Sequence, residues 1–116
     1  NFYNENLSSS KFKIPKVHKN ILHSRHLYPI GVGSKNRDLI LSELASKNIG
    51  ITVNYRSVPS MNFYQSKYRI PFENFKISYD WGQETLSLPL FPSITEDEQN
   101  YVVKILKETI EPLIGY

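Results

Sequence analysis

No cysteine occurs among the 116 residues, so disulfides and thiolate metal sites are excluded. No apolar run is long enough to cross a membrane. Residues Asn1 to Ser10 are polar with no apolar core, so they are not a secretory signal. Internal repeats and low-complexity tracts are also missing. No Gly-rich phosphate loop is present, because Gly31-x-Gly33 is not followed by a third glycine, and no Gly-x-Ser-x-Gly marks a nucleophile. The net charge is only +3, far below the dense basic stripe of a nucleic-acid binder, so no nucleic-acid partner is expected. What remains is 40% hydrophobic and 22% charged, an ordinary soluble domain with one core. Asn1 rather than Met at the start suggests a processed or excised chain.

Residues 1–25 read as an irregular basic lead-in, with Lys11, Lys13, Lys16 and Lys19 around Phe12, Ile14 and Val17. From His26 the pattern alternates and places Tyr28, Ile30 and Val32 on one face of a strand. Pro29 cannot donate to a ladder, so that strand should lie at an edge or start irregularly. Arg37 to Asn48 reads as a helix with Leu41, Leu44 and Ala45 on one face, extended by Ile40. Ser34 or Asn36 is expected to cap it, and Gly50 to supply a left-handed stop. Ile49, Ile51, Val53 and Tyr55 then alternate as a second strand, turning Tyr55 to the core and Asn54 and Arg56 to the other face.

Short helices are expected over 61–68 and 75–85, with an extended, proline-punctuated stretch from Leu86 to Pro92. Thr95-Glu96-Asp97-Glu98 is a capping box with carboxylates at the positive end of the helix dipole. Behind it Val102, Ile105, Leu106, Thr109, Ile110 and Leu113 form one stripe, and Pro112 should end the regular helix near Glu111. The whole reads as an α+β fold, a small sheet with helices packed on one face.

His18, His23 and His26 match no standard metal-ligand spacing, so no metal is expected. The aromatics Tyr64, Tyr68, Phe72, Phe75, Tyr79 and Trp81 have few basic residues among them and read as packing rather than base-stacking groups. Taken alone, the residues reach no further than a soluble α+β domain.

Four segments, in this order and spacing, resemble the C-terminal region of the DegT/DnrJ/EryC1/StrS family of sugar aminotransferases. They are His26-Leu27-Tyr28-Pro29-Ile30, the helix opening Arg37-Asp38, the stretch Asn48 to Tyr55, and Leu86 to Pro92 followed by Thr95 to Gln99. The resemblance covers roughly residues 20–111. It implies a small C-terminal domain of a fold-type I enzyme at 26–116, with 1–25 as the segment joining it to a large domain outside this chain. The parent would move an amino group from glutamate to a keto nucleotide-sugar, in amino-sugar or surface polysaccharide biosynthesis. Its cofactor would be pyridoxal phosphate, held through a lysine of the large domain. No motif of that large domain is present, so no residue here is expected to be catalytic or cofactor-binding, and the chain alone should be inactive. A cytoplasmic homodimer without membrane attachment is what such relatives imply for the full-length protein.

The small domain is expected to form one wall of the substrate cleft. Asn54-Tyr55 stands where relatives commonly carry His-Tyr, and an amide there cannot titrate. Arg56 reads equally as a bidentate partner of a substrate carboxylate or diphosphate and as a solvated surface charge. Tyr55 reads as core or interface packing. His26 either lines the domain interface or makes structural hydrogen bonds. The rival to an enzyme fragment is a stand-alone, non-catalytic binding module on the same fold. A severed domain should leave apolar surface exposed, whereas a stand-alone module should cover it with polar residues.

Overall fold

A computed structural model describes residues 2–114; Asn1, Gly115 and Tyr116, at the ends of the two expected segments, lie outside the described residues. Strand β1 (Tyr28–Gly31) pairs antiparallel with β2 (Thr85–Leu88), setting Tyr28 opposite Leu88 and Ile30 opposite Leu86. These four side chains share one face and are buried. On the free side of β1, Gly31 exchanges two backbone hydrogen bonds with Lys13, at 2.8 and 3.0 Å. Pro29 lies two residues earlier and faces that same side, where its missing N–H interrupts no ladder with β2.

Three helices cover the apolar face: α1 (Phe2–Leu7), α2 (Arg37–Ser46) and α5 (Glu96–Ile105). Their contributions to one core are Tyr3 and Leu7, Ile40 and Leu44, and Val102, Val103 and Ile105, with Leu106 and Ile110 beyond α5. The start of α5 has both halves of the expected capping box: the Glu98 amide donates to Thr95 Oγ1 at 3.2 Å and the Thr95 amide donates to Glu98 Oε2 at 2.8 Å. The bonds its carboxylate accepts from the Thr95 amide and the Thr95 hydroxyl hold the Glu98 carboxyl below its usual value. Regular winding ends at Ile105, earlier than expected. A wider turn over Leu106–Ile110 and a tight one over Glu111–Leu113 follow, so Pro112 sits in a terminal turn. Helices α3 (Asn62–Tyr68) and α4 (Lys76–Glu84) fall where short helices were expected.

Four local expectations are corrected. The first residues are not irregular: α1 buries Tyr3, whose hydroxyl donates to the Pro89 carbonyl at 2.9 Å and whose ring centroid lies 5.0 Å from that of Tyr28. Burial, and secondarily the neighbouring Tyr28, push the Tyr3 phenol up to about 12. The stretch from Ile49 to Tyr55 is not a full strand, because it has only a bridge from Thr52 to Ser87, with the Ser87 amide donating to Thr52 O at 2.9 Å. The left-handed stop of α2 is Asn48 (φ 58°), not Gly50. The Ile49 amide returns to Leu44 O and the Asn48 amide to Ala45 O, both at 3.0 Å, which satisfies the last carbonyls. Neither Ser34 nor Asn36 caps the helix, since no side chain among the described residues accepts from its first turn and Asn36 Nδ2 instead donates to Leu113 O at 2.6 Å.

Candidate functional site

Residues 52–57 run from the sheet edge across the surface of α4. Thr52 Oγ1 donates to Asn54 Oδ1 at 2.6 Å, which leaves the Asn54 amide hydrogens without an acceptor among the described residues. The Asn54–Tyr55 peptide bond is cis. Tyr55 is 66% exposed and does not enter the core as expected. The reason is the close approach of α4: a Cβ on Gly82 would stand 2.8 Å from Ser57 N and 3.2 Å from Tyr55 O. Backbone therefore packs on backbone at this point, and the Tyr55 ring is turned outward. The Ser57 and Ser78 hydroxyls, 2.9 Å apart, pin the same contact.

Arg56 is exposed and lines a cleft of about 520 Å³ together with Arg37 and Asp38 of α2, Asn62 of α3, and Tyr79 and Gln83 of α4. Arg37 is 7% exposed. Its Nε lies 2.6 Å from Asp38 Oδ1 without hydrogen-bond alignment, and Nε and Nη1 have no hydrogen-bond acceptor among the described residues. Of the expected site residues, Asn54, Tyr55 and Arg56 thus share one loop. His26 is exposed, ahead of β1, and no hydrogen bond ties it to that loop among the described residues.

Arg37, Asn62 and Gln83 were not anticipated as site residues. The available signal for Arg37 was its spacing, three before Ile40 and seven before Leu44. That places it on the buried stripe of α2, which runs through Arg37, Ile40 and Leu44 with Leu41 partly buried beside it, while Ala45 is exposed.

A second concavity, about 440 Å³, lies between the end of α2 and the start of α5. It is lined by Ile49, Pro89, Phe91, Ile94 and Val102, with Asp97 and Glu98 at its edge. No lysine lines either concavity, and no described lysine is buried. A pyridoxal group needs an enclosed lysine for its Schiff base, so these residues do not by themselves make a site for that cofactor. Among the described residues no three His, Asp or Glu side chains converge as a metal site, and no helix is long and apolar enough to cross a membrane.

Among curated proteins, the chain is 28% identical over 102 residues to the spore coat polysaccharide biosynthesis protein SpsC of Bacillus subtilis, covering 84% of this chain and 26% of that protein. It is 29% identical over 114 residues to an uncharacterized protein of Methanocaldococcus jannaschii, covering 93% and 29%. Its fold matches the putative sugar aminotransferase Spr1654 from Streptococcus pneumoniae in its PMP form, with a TM-score of 0.88 at 23% identity over 97% of this chain and 29% of that one. Helicobacter pylori PseC, an aminotransferase involved in pseudoaminic acid biosynthesis, matches with a TM-score of 0.79 at 23% identity, over 96% and 30%. The chain spans under a third of the length of each of these relatives. The model of the DegT/DnrJ/EryC1/StrS aminotransferase family matches residues 1–107, and the chain belongs to that family.

Proposed function

We infer that this chain is the C-terminal small-domain part of a pyridoxal-phosphate-dependent aminotransferase that moves an amino group from glutamate to a keto nucleotide-sugar. Surface polysaccharide biosynthesis is the setting this reading favours, in keeping with the spore coat polysaccharide biosynthesis named for the Bacillus subtilis relative. The observation that carries it is the pairing of near-complete coverage of this chain with 29% coverage of a sugar aminotransferase of the same fold. The missing part would hold the cofactor, which would act as the electron sink for amino transfer. This chain's own share is one wall of the substrate cleft: the Asn54 amide and the Arg56 guanidinium are free to bind and orient a polar substrate. Asn54 cannot carry a proton as an imidazole would, so proton transfer is assigned to the missing domain.

Exposed apolar surface favours a part of a larger protein over a stand-alone module. On α3 the Phe63 and Tyr68 rings touch at 6.5 Å between centroids while both side chains stay exposed, and Phe75 and Ile77 are exposed nearby in the chain. The reading is tested by sequencing the coding region upstream of Asn1, then assaying glutamate-dependent 2-oxoglutarate release with keto nucleotide-sugars. The expected result is an open frame of roughly 250 further residues, turnover by the whole protein and none by the 116-residue chain. A whole protein that aminates no keto nucleotide-sugar overturns the activity, and turnover by the short chain alone overturns the division of labour.

A further inference from the structure

The cleft between the start of α2, α3 and α4 has a feature that folding alone does not require. A guanidinium stays protonated at any physiological pH, so burying one without acceptors carries a desolvation cost that native structures normally offset with hydrogen bonds. Arg37 is buried, and its Nη1 has no acceptor among the described residues. Its one ionic neighbour among the described residues, Asp38, meets it at Nε, and the Asp38 side chain is mostly in solvent. Arg56 brings a second guanidinium to the same cleft.

The backbone adds positive character of the same sign. Arg37 is the first residue of α2, and a cation there opposes the helix dipole rather than complementing it. The side chain placed to cap this end, Asn36, is turned away to Leu113 O, so the first-turn amides of this ten-residue helix have no side-chain cap. Asn62, Tyr79 and Gln83, whose side chains can all donate, line the same cleft. Two guanidinium groups against one carboxylate, with uncapped amides and neutral donors, make a site short of an anion.

We propose that this cleft binds a phosphoryl group, free or carried on a larger ligand, with Arg37 and Arg56 as its charged anchors. A phosphoryl group presents three acceptor oxygens, enough to answer both guanidinium groups and the neutral donors beside them. A carboxylate, with two oxygens rather than three, would leave more of these donors unanswered. A cleft of about 520 Å³ also leaves room for whatever carries the phosphoryl group. The proposal shares Arg56 with the substrate wall of the amino-transfer reading and rests on it there; its test reads phosphate binding by this chain, so failure of binding and failure of amino transfer are told apart.

The test is a titration of the 116-residue chain with inorganic phosphate at constant ionic strength, following backbone amide and arginine Nε signals by proton–nitrogen NMR. Acetate and chloride serve as parallel anions. Phosphate should give saturating shifts at Arg37 Nε and at the amides of Asp38 and Leu39, while acetate and chloride should not. Arg37→Met and Arg56→Gln should each weaken phosphate binding roughly tenfold or more. Lys104→Gln, on the exposed side of α5, should leave it unchanged. The Arg37 Nε signal needs no substitution, so the test survives a variant that fails to fold. Non-saturating shifts, equal response to acetate, or undiminished binding by a folded Arg37→Met chain overturns the proposal.

Discussion

Removing the side chain of Leu7 should destabilise the chain as much as a core substitution does, although Leu7 lies in a segment that reads as a lead-in. Leu7 is 1% exposed and belongs to the same cluster as Ile30, Leu86 and Leu106. Leu→Ala at such a site costs about 2–5 kcal/mol, the transfer term plus the cavity left behind. Against a total of about 5–15 kcal/mol for a domain of this kind, that is a large fraction. At about 4 °C per kcal/mol it lowers the thermal midpoint by roughly 8–20 °C. Tyr3→Phe is the milder companion, losing the bond to Pro89 O and leaving that carbonyl short of a donor, for about 1–2 kcal/mol.

Tyr3→Phe also carries a pH signature. The phenol is raised from 10.0 to about 12, so the folded state holds its proton more tightly than the unfolded state. The associated stability is therefore fully present below about pH 10 and is lost as pH rises toward about 12. The substitution should remove part of that alkaline loss, and the raised Tyr28 phenol should account for some of what remains. Urea denaturation followed by circular dichroism at pH 8 and pH 11 reads both effects. If Leu7→Ala and Tyr3→Phe both stay within about 0.5 kcal/mol of the parent chain at pH 8, α1 is not part of the core and the reasoning fails.

Two glycines should respond in opposite ways to alanine. Gly82→Ala raises helix propensity by about 1 kcal/mol, but its Cβ would meet Ser57 N at 2.8 Å, so net destabilisation and altered amide shifts over 55–57 are expected. Gly50→Ala meets nothing within 4 Å and has no positive φ, so its denaturation midpoint should be unchanged or slightly raised. Thr95→Ala should cost about 1 kcal/mol by removing the cap of α5, with Thr95→Ser restoring most of it in the same denaturation assay. Because the Glu98 carboxyl is held below its usual value, its share of the cap is present above the ordinary carboxylate range and is lost as pH falls through the depressed value. The difference between Thr95→Ala and the parent should therefore shrink in acid.

Whatever was encoded within a few residues was legible. The capping box of α5 needs only Thr95 and Glu98, and the alternation through Tyr28, Ile30 and Val32 needs only a two-residue period. The short helices α3 and α4 were equally local, as was the placement of Pro29 on the side of β1 turned away from β2. Where two local solutions competed, packing chose. Asn48 took the left-handed position ahead of Gly50, and Asn36 bonded Leu113 instead of capping its own helix. Six residues of α1 are too few to show a period, and that helix owes its place to the burial of Tyr3 and Leu7.

By itself, then, the order of residues determined the α+β class, the main elements, and the ordered segments that tie the chain to its family. It also brought Asn54, Tyr55 and Arg56 together, because neighbours in the chain remain neighbours in space. Only the tertiary structure decided which of them face outward and what stands beside them. Tyr55 is exposed because Gly82 admits the backbone of residues 55–57, and the cleft exists because Arg37, Arg56, Asn62, Tyr79 and Gln83 arrive from separate segments. A strand period predicts alternating faces, but it cannot state which partner covers each face. That depends on contacts between residues far apart in the chain, which local periodicity does not encode.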